Sequence, residues 1–522
     1  MYSKNEKIVL LYFFTNVDKN IYCATDNMPT SLWALLLGGY SRSSISLRDR
    51  LLQVFKDIST NNYDEYIDNL AKSISSSYID LSCEIAKAEK FMAKWAVEYG
   101  HNSLKDSSYN RIAIEHVSIR ASKIIENSKL GAFQEKSTRY MDFSGDSLYL
   151  TDDDNVNEIN KKAVSLYTKA ISVLTEYYKG KIDKNSFKFE NAWVKTCKAK
   201  AFDDARYLLP TSITTSLGVT MPTRETERWI SYLMSSHLTE VFEIAKEIKA
   251  ECMKVTPSLI SHVTVNPLLN RRFGTKLADK INAANVENFD FIPGSNITPG
   301  VMLNYHSEID KEVAFSLMEA VGYYSNSSLA KITTLDEIFE LSLERGKFDE
   351  MPQETAVGIL NFSIICDIGA YRDIQRHRVG TQINEMWTSF RGYSTPDSFS
   401  DPVLNDLKNQ YDSIFKEYEV INKELTLKYN NNSEYCLLLG HNTRLTYSCD
   451  FRQFVYFVEL RSGEAGHYSY RRIAKDMYSI FKNIYPDLAR YIRVNLDEDT
   501  NRQKQEEQIE NKKMKLKEKM DD

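Results

Sequence analysis

Apolar residues recur at helical spacing over much of the chain, and the pattern predicts long helices at about 30–58, 62–100, 157–180 and 224–253. Between them, residues 111–119 (Arg-Ile-Ala-Ile-Glu-His-Val-Ser-Ile) alternate apolar and polar side chains, the period of a half-buried strand. The uniformly apolar run from Ile8 to Phe14 is too short to span a bilayer and reads as a core strand. Residues 356–365 form a second apolar run, read as a buried strand that leads into a helix. The stretch 256–300 carries Pro257, Pro267, Pro293 and Pro299 among Asn and Gly, the composition of a linker. Residues 496–522 are almost all Lys, Glu, Gln, Asn and Asp, so they form a solvated helix or a disordered tail.

This punctuation divides the chain into modules at 1–255 and 301–495. Each places a strand before an Arg-containing motif, then a long helix, a Leu-Leu turn, a polar stretch and a final helix. A repeat of this length means duplicated domains rather than a solenoid. The expected fold class is α+β: two related modules, each a mostly antiparallel sheet flanked by long helices. A length of 522 residues suits two cores, and 19 Gly with 11 Pro suits long helices. A net charge of -6 argues against a nucleic-acid binder, which needs a basic surface. It leaves room for a small anion held by a few arginines. Seven cysteines, all single and without a CxxC pair, read as reduced thiols of a cytoplasmic protein. No membrane partner is expected.

No GxGxxG, P-loop, HExxH, nucleophile elbow or metal-ligand spacing is present, so no metal site is expected. What remains is clustered arginine. Tyr371-Arg372-Asp373-Ile374-Gln375-Arg376-His377-Arg378 follows an apolar strand closely. Arginine pairs with phosphate through two parallel hydrogen bonds, and histidine adds a donor. A phosphate grip and a surface basic cluster both fit these residues. In Gln134-Glu135-Lys136-Ser137-Thr138-Arg139-Tyr140, Ser137 and Arg139 share a face if the segment is extended, which suits a phosphate. Asp203-Asp204-Ala205-Arg206-Tyr207-Leu208-Leu209-Pro210 fits a helix end with a favourable terminal cation. Asp450, Phe454, Phe457 and Arg461 share one helix face, which would carry two charges inward beside the two Phe.

Taken together, these segments resemble the flavin-dependent thymidylate synthases, whose signature is R-H-R-x-x-S-x-N-E-x-S-x-R-Y. That family also carries an E-x-A-R-x-x-L-P segment and an N-x-R…N-x-x-x-L-R helix. The signature is divided between the halves of this chain. The second module keeps Arg376-His377-Arg378 and a helix running from Asp450-Phe451-Arg452 to Leu460-Arg461. The first has Asn127-Ser128-Lys129 where R-H-R would fall, yet keeps Glu135, Ser137, Arg139, Tyr140, Ala205, Arg206 and Pro210. Gly100-His101 lies upstream. Conversely, Glu434 stands where the first module has Arg206, and Leu233 where the second has Arg461. Asn384-Glu385 and Ser389 to Tyr393 follow R-H-R at altered spacing, Asp450 and Tyr456 replace two family Asn, and Asp373 replaces a family Gln.

The resemblance implies a composite site, in which one module supplies nucleotide contacts and the other the R-H-R edge. Substrate contacts would come from Glu135, Ser137, Arg139, Arg206, Arg376 and Arg461. Of these, Arg461 would be catalytic, set against the uracil. The cofactor would be held by His101, Arg376, His377, Arg378, Asp450, Arg452 and Tyr456. The implied reaction is reductive methylation of dUMP to dTMP, with FAD as cofactor and methylenetetrahydrofolate and NADPH as co-substrates. The implied assembly is a homodimer that reproduces the family's tetramer as a pseudo-tetramer. The alternatives are flavin-dependent transfer to another pyrimidine nucleotide, and a non-catalytic nucleotide-binding protein.

Overall fold

In a computed structural model of the chain, the described residues are 2–40, 43–59, 62–76, 82–145, 147–267, 299–320, 343–346, 349–428, 430–497, 506–512 and 514. Two antiparallel sheets share one strand order. The first is built from β1 (Ile21–Cys23), β2 (Tyr109–Ser118), β3 (Ala132–Glu135) and β4 (Thr214–Pro222) in the order β1-β2-β4-β3. The second, from β5 (Gly300–His306), β6 (Leu360–Asp367), β7 (Thr381–Asn384) and β8 (Asn442–Cys449), runs β5-β6-β8-β7. The registers place Ile114 opposite Leu217 and Ile364 opposite Leu445, all four fully buried. In each sheet a helix follows the long strand directly, Ile119–Ile125 after β2 and Ile368–Ile374 after β6. The architecture is therefore α+β with an internal duplication, as the repeat in the sequence predicts.

The chain forms two compact units, and their bounds differ from those of the sequence modules. One comprises Met1–Asp152 with Thr211–Asp290; the other comprises Asp153–Pro210 with Phe291–Asp522. The helices Asp154–Lys181 and Glu190–Ala205 thus belong to the C-terminal unit, although they lie in the first half of the sequence. Asn160, on the first of these helices, shows why. It is fully buried, accepts a 2.6 Å hydrogen bond from the Tyr418 hydroxyl, and donates to the Tyr435 carbonyl at 3.2 Å. Tyr418 lies on Asn405–Leu427, the helix that occupies the corresponding place in the second repeat.

Several elements depart from the pattern reading. The run Ile8–Phe14 is not a strand: Lys4–Phe13 is a helix. Ser3 and Glu6 form a reciprocal capping box at its start, and Val9, Leu10 and Phe13 lie on one buried face. The segment 30–58 breaks into Thr30–Tyr40 and Leu47–Ile58, the second capped by Ser46. Likewise 62–100 becomes Tyr63–Ser76, Ser82–Met92 and a π-turn at Ala93–Glu98, and 224–253 becomes Thr223–Leu233 and Thr239–Cys252. Within the expected linker, Pro257–Ile260 is a short helix and residues 268–298 lie outside the described residues. The described part of the charged tail is helical at 506–512, where Glu510 pairs with Lys195 at 2.5 Å and Glu507 accepts from the Lys188 backbone at 3.0 Å. No helix among the described residues is long and apolar enough to cross a membrane.

The unit assignment can be checked through Asn160. Asn160→Ala strands the Tyr418 hydroxyl and the Tyr435 carbonyl in the interior, at a cost of about 2–4 kcal/mol. Hydrogen exchange is expected to accelerate along Asn405–Leu427 and Asn431–Tyr435, while β2 and β4 keep their protection. Acceleration confined to β2 and β4 would contradict the assignment.

Candidate active site

The C-terminal unit positions Arg206 through a backbone ladder. The helix Glu190–Ala205 ends at Arg206, which opens a 3-10 turn to Leu208. The Tyr207 carbonyl then accepts from the Gly440 N–H at 3.0 Å and the Leu209 carbonyl from the Leu439 N–H at 2.9 Å. The Leu439 carbonyl in turn accepts from the Gly369 N–H at 2.9 Å, at the start of the helix after β6. Three segments distant in sequence, at 207–209, 369 and 439–440, are locked together in this way. Gly369 permits the close approach: a Cβ there would stand 3.2 Å from Arg206 Nε and 2.9 Å from an Asp367 oxygen.

Arg206 is 1% exposed, and two carboxylates flank it. Its Nη2 lies 3.8 Å from Asp367, and its Nη1 lies 3.8 Å from Asp373. Both separations are too long for a hydrogen bond. Nε and Nη2 are buried and have no hydrogen-bond partner among the described residues. Buried polar atoms are nearly always satisfied, so these two donors are an exception within the fold. Asp367 caps the helix Ile368–Ile374 by accepting from the Ala370 N–H at 2.7 Å, and it also accepts from Ser469 and from Tyr207. Burial raises its pKa, which Arg206 and Ser469 partly oppose.

Arg461 ends the helix Phe451–Arg461 on the other side of Asp373, with Nη1 3.7 Å from that carboxylate. Its Nε donates at 2.7 Å to His377 Nε2. His377 is buried, with its ring centroid 4.5 Å from that of Phe457 at a tilt of 55°, and its Nδ1 has no partner among the described residues. Burial, reinforced by Arg461, holds its pKa well below the ordinary histidine value, so it acts as a neutral acceptor that orients Arg461. Arg376, one residue earlier, is exposed, and Arg378 is half-buried. The structure therefore brings Arg206 and Arg461 to the same carboxylate and His377 to Arg461, with Arg376 and Arg378 acting electrostatically on His377.

Of the other expected site residues, Glu135, Ser137, Arg139 and His101 belong to the N-terminal unit, and Asp450, Arg452 and Tyr456 to the C-terminal unit. Glu135 is buried and accepts from Lys123 at 2.9 Å and from Ser122 at 2.8 Å. Ser137 opens a turn rather than an extended segment, and its hydroxyl accepts from the Arg139 N–H at 3.3 Å. Arg139 is 8% exposed. His101 is exposed, 5.7 Å from the Trp95 ring. Asp450 is not a charge turned inward along the helix: it is the N-cap, accepting from the Gln453 N–H at 2.7 Å. Arg452 pairs with Glu350, and Tyr456 is exposed beside the His377 ring at 5.6 Å. Asp367 and Ser469 were missed from sequence. An acid directly before a helix was the available signal for Asp367; nothing local marks Ser469.

The N-terminal unit has a different site at the corresponding turn. Asn127 donates to Tyr232 at 3.2 Å and Ser128 to Glu225 at 2.7 Å. Both residues line a cleft of about 720 Å³ that also includes Trp229 and His262. Among the described residues, no group of His, Cys, Asp and Glu is placed to hold a metal.

Fold and site define a duplicated α+β protein with an arginine–carboxylate site after the long strand of its second sheet. The pattern of the thymidylate synthase complementing proteins matches the chain at residues 57–258 and 350–487, and the chain belongs to that family. It is 27% identical to a UPF0159 protein of Chlamydia muridarum, over 94% of this chain and 95% of that one. A UPF0159 protein of Thermoplasma acidophilum is 24% identical, over 78% of this chain and 89% of that one. Among solved structures, a UMP/dUMP methylase from Streptomyces cacaoi bound with 5-Br dUMP is similar at a TM-score of 0.31 and 15% identity. That likeness covers 37% of this chain and 93% of that one.

Acid sensitivity follows from the imidazole that supports the ladder. His441 is buried, accepts from the Leu438 N–H at Nδ1, and has its pKa pushed down to about 3 by burial. The unfolded imidazole titrates near 6.5, so below that pH the unfolded state binds a proton that the fold refuses. The stability from this group is complete above about pH 6.5 and falls by up to about 1.4 kcal/mol per pH unit as acid is added. Asp204, raised to about 6 by burial, has the opposite slope between its unfolded and folded values, so the comparison must be differential. Asn at 441 retains an acceptor without a titrating ring. Denaturant unfolding from pH 7.5 to 4.5 is expected to show wild type losing stability relative to His441→Asn. Parallel curves would contradict the neutral, buried imidazole.

Proposed function

We propose that the chain is a flavin-dependent methyltransferase that converts dUMP to dTMP. The carbon comes from methylenetetrahydrofolate and the reducing equivalents from NADPH. One observation carries this reading: Arg206, from the A-R-x-x-L-P segment, lies within ion-pair distance of Asp373, three residues before the R-H-R motif, and its buried Nε and Nη2 have no hydrogen-bond partner among the described residues. Family membership supports the same reading.

The residues present fit a flavin. Arg376 is exposed and Arg378 half-buried on either side of His377 in sequence, and His377 Nδ1 has no hydrogen-bond partner among the described residues. Arg376, His377 and Arg378 would hold the group, with Tyr456 offering an exposed ring beside them. Reduced flavin supplies the hydride that turns the transferred carbon into a methyl group. His377 fixes the direction of the Arg461 guanidinium. We assign it to the pyrimidine edge, where it stabilises negative charge as C5 becomes nucleophilic. Ser137 and Arg139 are assigned to a nucleotide phosphate by their match to the S-x-R-Y segment. The reaction needs no protein nucleophile.

Arg461→Ala is expected to lower folate-dependent tritium release from C5-labelled dUMP by about 10²–10³-fold, equivalent to about 2–4 kcal/mol of transition-state stabilisation, with the circular dichroism spectrum unchanged. Retained turnover would remove Arg461 from this role. Purified wild type should retain FAD and be yellow. Binding of dUMP without FAD binding or tritium release would instead select a non-catalytic nucleotide-binding protein. The proposed assembly is a homodimer, so light scattering should give twice the chain mass; a monomeric mass would contradict it.

A further inference from the structure

The cysteines, single in sequence, are not all single in space. Cys197, Cys366, Cys436 and Cys449 are buried apart, and Cys83 is exposed. Cys23 and Cys252, 229 residues apart, are in contact, with their sulfurs at 3.8 Å. Both belong to the N-terminal unit. Cys23 ends β1, the edge strand of the first sheet, and Cys252 ends the helix Thr239–Cys252, which packs against that strand.

Thr15 holds the two backbones in place. Its hydroxyl donates to Glu251 at 2.6 Å and accepts from the Cys23 N–H at 2.9 Å, and its N–H donates to the Cys23 carbonyl at 3.0 Å. The Cys252 carbonyl accepts from the Thr256 N–H at 2.8 Å. The chain is therefore tied on both sides of the sulfur contact. Bonded sulfurs stand about 2 Å apart, so the gap left to close is within reach of side-chain rotation.

The same surroundings slow the reaction. Both thiols are buried, and the hydrogen bond with Cys252 together with burial pushes the Cys23 thiol well above its ordinary pKa. The thiolate is the nucleophile, so the closed fold reacts slowly. Opening of a short edge strand, a low-cost local excursion, admits the oxidant.

We propose that Cys23 and Cys252 are a reversible disulfide site, oxidised by a small disulfide of the glutathione class. One protein thiolate attacks the small disulfide, forming a mixed disulfide and releasing one small thiol. The neighbouring protein sulfur then displaces the second. Two protein thiols are oxidised to one disulfide, and one small disulfide is reduced to two thiols. The mixed form does not accumulate, because the second sulfur already touches the first. The new bond closes a ring of chain from 23 to 252, which includes residues 153–210 of the C-terminal unit. Cross-linking so long a loop restricts the unfolded chain, so the oxidised protein is the more stable form.

The test uses the full chain carrying Cys83→Ser, which removes the exposed thiol and leaves six cysteines of the seven. The protein is incubated with oxidised glutathione in urea below its unfolding transition, then denatured for thiol titration and peptide mapping. The expected result is the loss of two thiols per chain with no glutathione retained. The tryptic fragments that contain Cys23 and Cys252 should run joined and separate on reduction. The melting temperature should rise by at least about 3 °C on oxidation and return with dithiothreitol. Retention of all six thiols, a lasting glutathione adduct on either cysteine, or a bond to a different cysteine would overturn the proposal. An unchanged or lower melting temperature of the oxidised form would overturn the stabilising role.

Discussion

A buried guanidinium whose Nε and Nη2 have no hydrogen-bond partner among the described residues stands at the centre of the candidate site. Arg206 is 1% exposed, two of its nitrogens have no partner, and its nearest acids stand 3.8 Å away. Desolvating a cation and leaving its donors idle is costly. The fold nevertheless imposes it, through three backbone hydrogen bonds that link Tyr207 and Leu209 to Gly440 and Leu439, and Leu439 to Gly369. A site that has already met the desolvation cost binds its ligand with donors fixed in place, which is how electrostatic preorganisation works. Asp367 is part of the same arrangement: it caps a helix, receives Ser469 and Tyr207, and faces Arg206, so one carboxylate fixes the helix start and the arginine together.

The duplication explains how such a site can be specialised. The two sheets have one topology, yet equivalent positions carry different chemistry. The helix after β2 is capped by Ser118, whose hydroxyl donates to Glu240 at 2.6 Å; the helix after β6 is capped by Asp367, which accepts from Ser469. Alcohol and acid have exchanged places. Lys123, on the first of these helices, is buried against Glu126 and Glu135, at 2.5 and 2.9 Å. Three charges there are used internally, where the second repeat turns Arg376 outward. One repeat leaves an arginine exposed at this turn and the other closes its own charges on themselves.

Much of this was legible in the sequence, for physical reasons. The strand at 111–119 and the apolar run before Tyr371 appear as β2 and β6 because sheet burial imposes its period on side chains. Arg206, His377 and Arg461 stood out in sequence because few residue types serve an anion or a ring edge, and the structure places Arg206 and Arg461 at Asp373 and His377 at Arg461. Other features were not local. The Ile8–Phe14 run looked like a strand until Ser3 and Glu6 supplied a helix start outside it. Asp450 looked like a buried charge but caps a helix, a role that depends on where the helix begins. Membership of residues 153–210 in the C-terminal unit rests on contacts such as Asn160 with Tyr418, 258 residues apart, which no window of sequence contains.

The central claim is that Arg206 waits for a ligand rather than supporting the fold. Titration of dUMP and FAD into Arg206→Met, compared with wild type and paired with thermal unfolding of the unliganded proteins, tests it most directly. The account predicts that affinity for at least one ligand falls tenfold or more, a loss of about 1.4 kcal/mol or greater, while the melting temperature is unchanged or higher. Undiminished affinity for both ligands, together with a large fall in melting temperature, would show that Arg206 is a structural cation and would contradict the account.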